Sequence, residues 1–409
     1  MATSLLAVAV CSSAEPEYPA FRDAPHEYWE RKPTDRFTQL KDDLQAGKIK
    51  LDHSSDKAYV AGLLRALHIS PSSQLLVFST TSLQLSRISP ENPRAIYFNE
   101  EVYVGWVPGG KMEVMGIDPD LGGITYLFDV PRSTVHPPVQ RATRCMKCHA
   151  ASEIGGAPGL LISSVVPGPG GGSLEAFRED EIGHGIPFSQ RFGGWHVTGK
   201  HGIKNHWGNL TGELSRTGMR KIPNPAGRRF RLERYPVPTS DVLAHLLLEH
   251  QAGFVDRFAS ATYRARAVLD GAVEEIPKDD AGNFLDAEAR SLVRYLLFAD
   301  EAKFPEGGIG GDPALKADFL RRAHRSSDGL SLRDLDLKTR ILQHRCSYMI
   351  HSAAFAGLPK QLKDRVFLRL GQALEVKTIL PEFAYLPAQE KQAIQRILRE
   401  TFPGLPKGW

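Results

Sequence analysis

Cysteine is scarce in this sequence, with four in 409 residues, and this scarcity excludes a small scaffold held together by disulfides. No run of about eighteen or more apolar residues is present, so the sequence predicts no transmembrane helix. An excess of one charge is also lacking, because 51 Lys and Arg residues face 47 Asp and Glu residues. A dedicated nucleic-acid-binding protein would concentrate basic charge, so that class is excluded.

The residue pattern changes twice along the chain. Residues 15–130 combine helical periodicity with short β-rich runs separated by turn residues, which is typical of an antiparallel β-meander. Residues 131–238 are rich in glycine, proline, histidine and arginine and show no regular periodicity. Residues 239–409 have the apolar spacing of helices. We therefore expect an α+β fold with a β-meander region, a loop-rich middle and a helical C-terminal half.

The same patterns predict the individual elements. Strands are expected at residues 74–79, 94–98, 101–107, 111–117 and 124–130. A helix begins after Ser240 and carries an apolar stripe through His250, and His245 is expected on its opposite face. Further helices are expected at residues 285–299, 313–324, 337–352, 360–375 and 387–401.

The first residues, MATSLLAVAVCSSA, have the composition of a short export signal. An apolar stretch precedes small residues, and Ser12 and Ala14 fit the −3 and −1 positions of a signal-peptidase site. Cys11 leaves lipid attachment as an alternative. We expect residues 1–14 to be removed and the mature protein to be exported.

The most specific motif is Cys145-Met146-Lys147-Cys148-His149, a CxxCH. Two cysteines at this spacing match the two vinyl groups of haem, with which they form thioethers, and the adjacent histidine can ligate the iron from the proximal side. A zinc half-site and a thioredoxin-like redox pair are the alternatives. Zinc needs a second ligand pair, but the other two cysteines are isolated. A redox pair would follow a strand, whereas this motif follows a proline-rich loop.

With this motif the chain resembles the c-type cytochromes. Residues 145–161 look like the haem-attachment segment of small cytochromes c, in which a Gly-Pro-x-Leu element follows the histidine; here the order is Gly-Ala-Pro-Gly-Leu from Gly156 to Leu160. The resemblance implies one covalently bound haem c per chain and a hydrogen bond from Nδ1 of His149 to the carbonyl of Pro158. Bacteria attach haem c after export, so it also implies a periplasmic or extracellular location.

The whole chain further resembles a group of large bacterial single-haem periplasmic proteins. The stretches that carry this resemblance are GGW-x-VTG-x-HG, H-x-GN, LEHQ and CSY-x-I, found here at residues 193–202, 206–209, 248–251 and 346–350. This second resemblance supports a haem and implies no particular reaction.

The function depends on the sixth coordination position of the iron, which a second protein ligand fills in an electron carrier and which stays open in many haem enzymes. Two candidates, His201 and His206, lie in a glycine-rich loop, and His250 lies on the apolar stripe of a helix. Met219 is a fourth, because thioether sulfur ligates iron in small cytochromes. Each of the four also has an ordinary role open to it, as a loop or core residue.

Basic residues beside the motif suggest how the haem propionates are held. Arg141 and Arg144 precede Cys145 by a few positions, so they are the candidate propionate partners. We therefore expect a single-electron carrier whose partner is a redox protein or a small periplasmic electron donor or acceptor. The alternatives are a haem enzyme, peroxidase-like or acting on a small substrate, and a gas or redox sensor.

Overall fold

Two capped helices lie near the start of the computed structural model, which describes residues 16–132, 139–177, 183–378 and 380–409. The expected export signal lies outside these described residues. Asp35 and Ser55 cap the two helices, because their side-chain oxygens accept backbone N–H groups of the first turn. The helices of the described residues are α1 (Arg36–Gln45), α2 (Asp56–Ala66), α3 (Met146–His149), α4 (Val242–Asp270), α5 (Ala281–Leu296), α6 (Pro313–Arg321), α7 (Ala353–Ala356), α8 (Lys360–Leu374) and α9 (Ala388–Thr401).

All strand pairs are antiparallel, and the fold is therefore mixed α+β. The largest sheet has six strands in the order β5-β4-β3-β2-β1-β8, so that β2 to β5 are neighbours in chain order. The strands of the described residues are β1 (Leu75–Val77), β2 (Arg94–Phe98), β3 (Val102–Trp106), β4 (Lys111–Asp118), β5 (Gly122–Asp129), β6 (Ser164–Pro167), β7 (Ser173–Phe177), β8 (Trp195–His196), β9 (Leu210–Ser215) and β10 (Gly218–Pro223).

The two faces of this sheet pack into two different cores, because successive side chains of a strand point to opposite faces. Tyr97 and Val104 belong to the core that includes α1 and α2. Phe98 and Tyr103 belong to the core built around α4. The hydroxyl of Tyr103 donates to the Gln251 side chain of α4 at 3.1 Å. The long helix therefore lies directly against one face of the sheet.

The middle of the chain contains two β-hairpins among its loops, β6–β7 and β9–β10. Its short strand β8 joins the main sheet, with His196 opposite Leu76 and Trp195 opposite Val77. This part of the chain is therefore attached to the N-terminal sheet by backbone hydrogen bonds. The loop-rich middle expected from the sequence thus also contains short regular strands.

Helix α4 extends to Asp270, and its two histidines contact different neighbours, which fits the expected opposite faces. His245 bonds to the His196 carbonyl and His250 to the Ser347 hydroxyl, and both are buried, at 3% and 1% exposure. Besides the sheet, α5 and α7 pack against α4, and most of its residues are buried. The helix is therefore buried all round for most of its length, as a helix in the centre of a large protein is.

The expected helix at residues 337–352 is wrong. Leu335 and Leu342 form an antiparallel bridge, and Leu337 adopts a left-handed φ of 59°, so the chain turns back on itself here. A short 3₁₀ turn at Tyr348–His351 is the helical part of this segment. Apolar residues such as Ile341 are buried individually, which produced the misleading spacing. Within the described ranges, no helix is both long and apolar enough to cross a membrane.

Candidate functional site

The CxxCH motif forms a short helical segment. A 3₁₀ turn over Thr143–Cys145 continues directly into α3. Residues three and four positions apart share one face of a helix, so Cys145, Cys148 and His149 point to the same side. Both cysteines are free thiols; Cys148 is exposed and Cys145 is half-buried. The spacing of the motif therefore places two sulfurs and an imidazole on one face of this short helical segment.

This segment is attached to the edge of the main sheet. Arg141 bridges to Tyr126 of β5. The backbone N–H of Ala142 donates to the Thr125 carbonyl at 2.7 Å. The Thr125 hydroxyl in turn donates to the Ala142 carbonyl at 3.0 Å. Met146, inside the motif, is buried in the core shared with α1 and α2. The motif is therefore held by an edge strand on one side and a core contact on the other.

The ring of His149 is oriented by a backbone carbonyl, and the expected acceptor is corrected by one residue. Its Nδ1 lies 3.0 Å from the carbonyl oxygen of Gly159, not of Pro158. The Pro158 carbonyl instead accepts the N–H of Gly123 at 2.9 Å. Because a carbonyl only accepts, the proton is on Nδ1, and Nε2 keeps its lone pair. Burial lowers the pKa of His149, which favours the neutral imidazole that binds metals.

The loop that supplies this carbonyl is held by helix α4. Oδ1 of Asp256 accepts the N–H of Leu160 at 2.6 Å, and the hydroxyl of Ser260 donates to the Gly155 carbonyl at 3.0 Å. A Cβ on Gly159 would lie 2.2 Å from Oδ1 of Asp256, so only glycine fits there. Sequence reasoning missed Asp256 and Ser260. The available signal was two polar residues at i, i+4 spacing within a long apolar helix.

The two expected propionate partners, Arg141 and Arg144, have different surroundings in the structure. The guanidinium of Arg141 donates to the carbonyls of Tyr28 at 2.6 Å and Arg31 at 3.2 Å, and it lies 4.1 Å from the centre of the Tyr28 ring. Arg141 is therefore engaged with the N-terminal segment, which corrects its expected role. Arg144 is exposed, and its charge partly opposes the rise that burial causes in the pKa of Cys145.

The structure brings two of the distal candidates together. The rings of His201 and His206 lie 5.2 Å apart, and the Phe192 ring lies 5.8 Å from His206. Nδ1 of His206 accepts the N–H of Gly208 at 3.0 Å, so the proton of this neutral ring is on Nε2. In this tautomer Nε2 of His206 is a hydrogen-bond donor, and metal binding there would require the proton to move to Nδ1 at the cost of the Gly208 bond. Nδ1 of His201 is buried and has no partner in the described part of the chain.

The other two candidates lie in different surroundings. His250 is bonded through Nδ1 to His184 at 2.8 Å and through Nε2 to the Ser347 hydroxyl at 2.7 Å, so neither ring nitrogen is left for iron. This corrects its place among the ligand candidates. Met219 lies on β10, with its sulfur at 2.7 Å from the position of a Cβ on Gly212. Its thioether therefore packs across the β9–β10 hairpin.

The alternatives to haem find less support in the local chemistry. Burial raises the pKa of the Cys145 thiol, whereas redox-active pairs rely on a lowered one. No group of three or more His, Cys, Asp or Glu side chains in the described ranges is arranged to hold a metal ion. A structural zinc site needs four such ligands.

Comparison with known proteins leaves the site to be interpreted from its own geometry. No family model, no curated protein and no solved structure matches this chain.

Proposed function

We propose that this protein is an exported single-haem c-type cytochrome that transfers single electrons. The observation that supports this most is the state of His149. Its Nδ1 is bonded to the Gly159 carbonyl, so the lone pair of the neutral ring is on Nε2. Two free thiols share its helix face. These three groups fit the two thioethers and the proximal ligand that a haem c requires.

When bound, a haem supplies one-electron chemistry between ferrous and ferric iron. The residues of this chain would hold and tune it. Cys145 and Cys148 would form the thioethers, and His149 would bind the iron through Nε2. The Gly159 carbonyl fixes the orientation of the ring and makes the imidazole a stronger donor.

The surface around Cys148 suggests how a partner would be recognised. Cys148 is exposed, and so are the neighbouring Arg144 and Lys147. A haem attached here would therefore lie near the surface, beside positive charge. Such a rim favours a redox partner with an acidic docking face, because complementary charge increases the rate of encounter.

The proposed location is the periplasm or the extracellular space. Bacteria form haem thioethers after export, and the sequence of residues 1–14 fits an export signal. The motif and the leader thus support the same compartment independently.

A second candidate function is a haem enzyme with an open distal position. The observation that favours it is the tautomer of His206, whose Nε2 carries the proton. In such an enzyme a haem would supply the redox chemistry, and a His206 ring in this state would be the hydrogen-bond donor to the substrate, as a distal acid is.

Mass spectrometry of the denatured protein tests for haem attachment. We expect the chain, produced with its leader and with haem-maturation machinery, to retain the mass of one haem. The double variant Cys145→Ser/Cys148→Ser should lose this mass. Cys346→Ala is the matched control, since Cys346 is completely buried and outside the motif, and it should keep the haem. A wild-type chain without added mass would refute the proposal.

The ferric absorption spectrum separates the two candidate functions. Low-spin iron that does not respond to cyanide or peroxide supports the carrier, and high-spin iron that responds supports the enzyme. Alanine substitutions at His201, His206 and Met219 identify a sixth ligand, because replacement of that ligand alone converts the spectrum to high spin. His250→Ala should leave the spin state unchanged, since both nitrogens of that ring are already bonded.

A further inference from the structure

A cavity of about 570 Å³ lies between α4, α5 and the loops that follow the CxxCH motif. Its volume is within the range of roughly 300–1,000 Å³ that is usual for small-molecule sites. Cys145, Cys148 and His149 are not among its lining residues. The cavity therefore adjoins the loop that follows the motif without including its thiols or its imidazole.

The lining of this cavity combines apolar and charged groups. Leu160, Val165, Trp195 and Leu248 contribute apolar and aromatic surface. Arg257 and other ionisable side chains lie among them. A ligand that matches this lining has an apolar body and a charged group.

Most of the charges in the cavity neutralise one another. Arg191 is paired with Glu249 at 2.8 Å, and Arg264 is paired with Glu288 at 2.8 Å. The carboxyl of Asp256 accepts the Leu160 N–H, and burial raises its pKa above the usual range. Each of these charged groups therefore has a partner of its own, and Glu153, a further acid of the described lining, is exposed.

Arg257 is a charged side chain of the lining that lacks such a partner. Within the described part of the chain it makes no hydrogen bond and no ion pair, and its Nε is buried without a partner. Its guanidinium lies 4.9 Å from the centre of the Tyr295 ring. An unpaired, partly buried cation is unfavourable, and a carboxylate is the partner that a guanidinium binds best, through two parallel hydrogen bonds.

We propose that this cavity binds a small organic carboxylate with an apolar body, whose carboxylate pairs with Arg257 and whose body lies against the apolar wall. The proposal does not depend on the haem. Its test uses the protein as purified, and the covalent mass of a haem is measured independently, so failure of one proposal is distinguishable from failure of the other.

Calorimetric titration with benzoate and with octanoate tests this site, because the two probes cover aromatic and aliphatic bodies. We expect saturable binding of at least one of them, and at least tenfold weaker binding of the uncharged amide of that probe. Arg257→Gln should weaken binding of the acid at least tenfold. Arg294→Gln is the matched control, since Arg294 is a partly exposed arginine on α5 outside the cavity, and it should bind like the wild type.

Three outcomes would overturn the proposal. One is that neither acid binds. Another is that the acid and its amide bind equally well to the wild-type protein, a comparison that remains decisive even if Arg257→Gln does not fold. The last is that the two arginine variants do not differ: both bind as tightly as the wild type, or both are weakened to the same extent.

Discussion

Asp256 shows how one residue of the C-terminal half controls the candidate site. It touches neither the cysteines nor His149, yet its carboxyl holds the N–H of Leu160, next to the carbonyl that orients the imidazole. Burial raises the pKa of this carboxyl, because its charged form is desolvated there. Asp256 therefore contributes the position of an oxygen acceptor.

We predict that Asp256→Ala lowers the free energy of unfolding by about 1–3 kcal/mol, because the Leu160 N–H would be buried without an acceptor. Asp256→Asn should cost less than about 1 kcal/mol, since an amide keeps a neutral oxygen acceptor in the same place. Urea unfolding of the three proteins at pH 7 measures both values. Equal losses in the two variants would show that the charged carboxylate is required.

At the scale of elements, close approach between α4 and its neighbours depends on a glycine. A Cβ on Gly253 would lie 2.3 Å from the Tyr295 hydroxyl and 2.7 Å from the Cα of Gly183. Tyr295 belongs to α5, and its hydroxyl donates to the His250 carbonyl at 2.9 Å. The absent side chain of Gly253 thus allows this contact between the two helices.

We predict that Gly253→Ala destabilises the protein by about 1–3 kcal/mol, because backbone and side chain would have to separate to make room for the methyl group. Gly282→Ala on α5 is the matched control. The nearest atom to its Cβ would be a flexible Arg365 nitrogen at 3.4 Å, so the substitution should stabilise the helix by roughly 0.5–1 kcal/mol. Thermal and urea unfolding compare the two variants. A neutral Gly253→Ala would contradict the packing described here.

At the scale of the whole molecule, buried neutral histidines dominate the response to acid. Burial is the largest cause of a lowered pKa in ten described histidines, and the pKa of His196 falls to about 4 and that of His250 to about 3. A lowered pKa means that the unfolded chain takes up protons first. The stability that these residues provide is therefore complete above pH 6.5 and is lost as the pH falls toward 4.

We predict that the free energy of unfolding falls by several kcal/mol between pH 6.5 and pH 4.5, as urea unfolding at a series of pH values would show. Glu249 and Glu301 act in the opposite direction, since burial raises the pKa of each to about 7, but the histidines outnumber them. A profile that stays flat or rises over this range would mean that the histidines are already charged in the folded protein.

Sequence by itself determined the elements whose signals are local. Every residue of β2 lies in the expected segment 94–98, and helices α8 and α9 lie within one residue of their expected ranges. Period-two and period-3.6 patterns depend on neighbouring residues, so they can be recognised without knowing the fold. The CxxCH motif is equally local, because its three chemical groups share one turn of helix.

Only the tertiary structure decided which groups meet across long distances in the chain. In the folded protein, His149 bonds to the Gly159 carbonyl, Arg141 bonds to the N-terminal segment, and both ring nitrogens of His250 are hydrogen-bonded. The tertiary structure also replaced the expected helix at 337–352 by a turn. The physical reason is the same in each case. A hydrogen bond between distant residues depends on how whole elements pack, and the local residue pattern does not determine that packing.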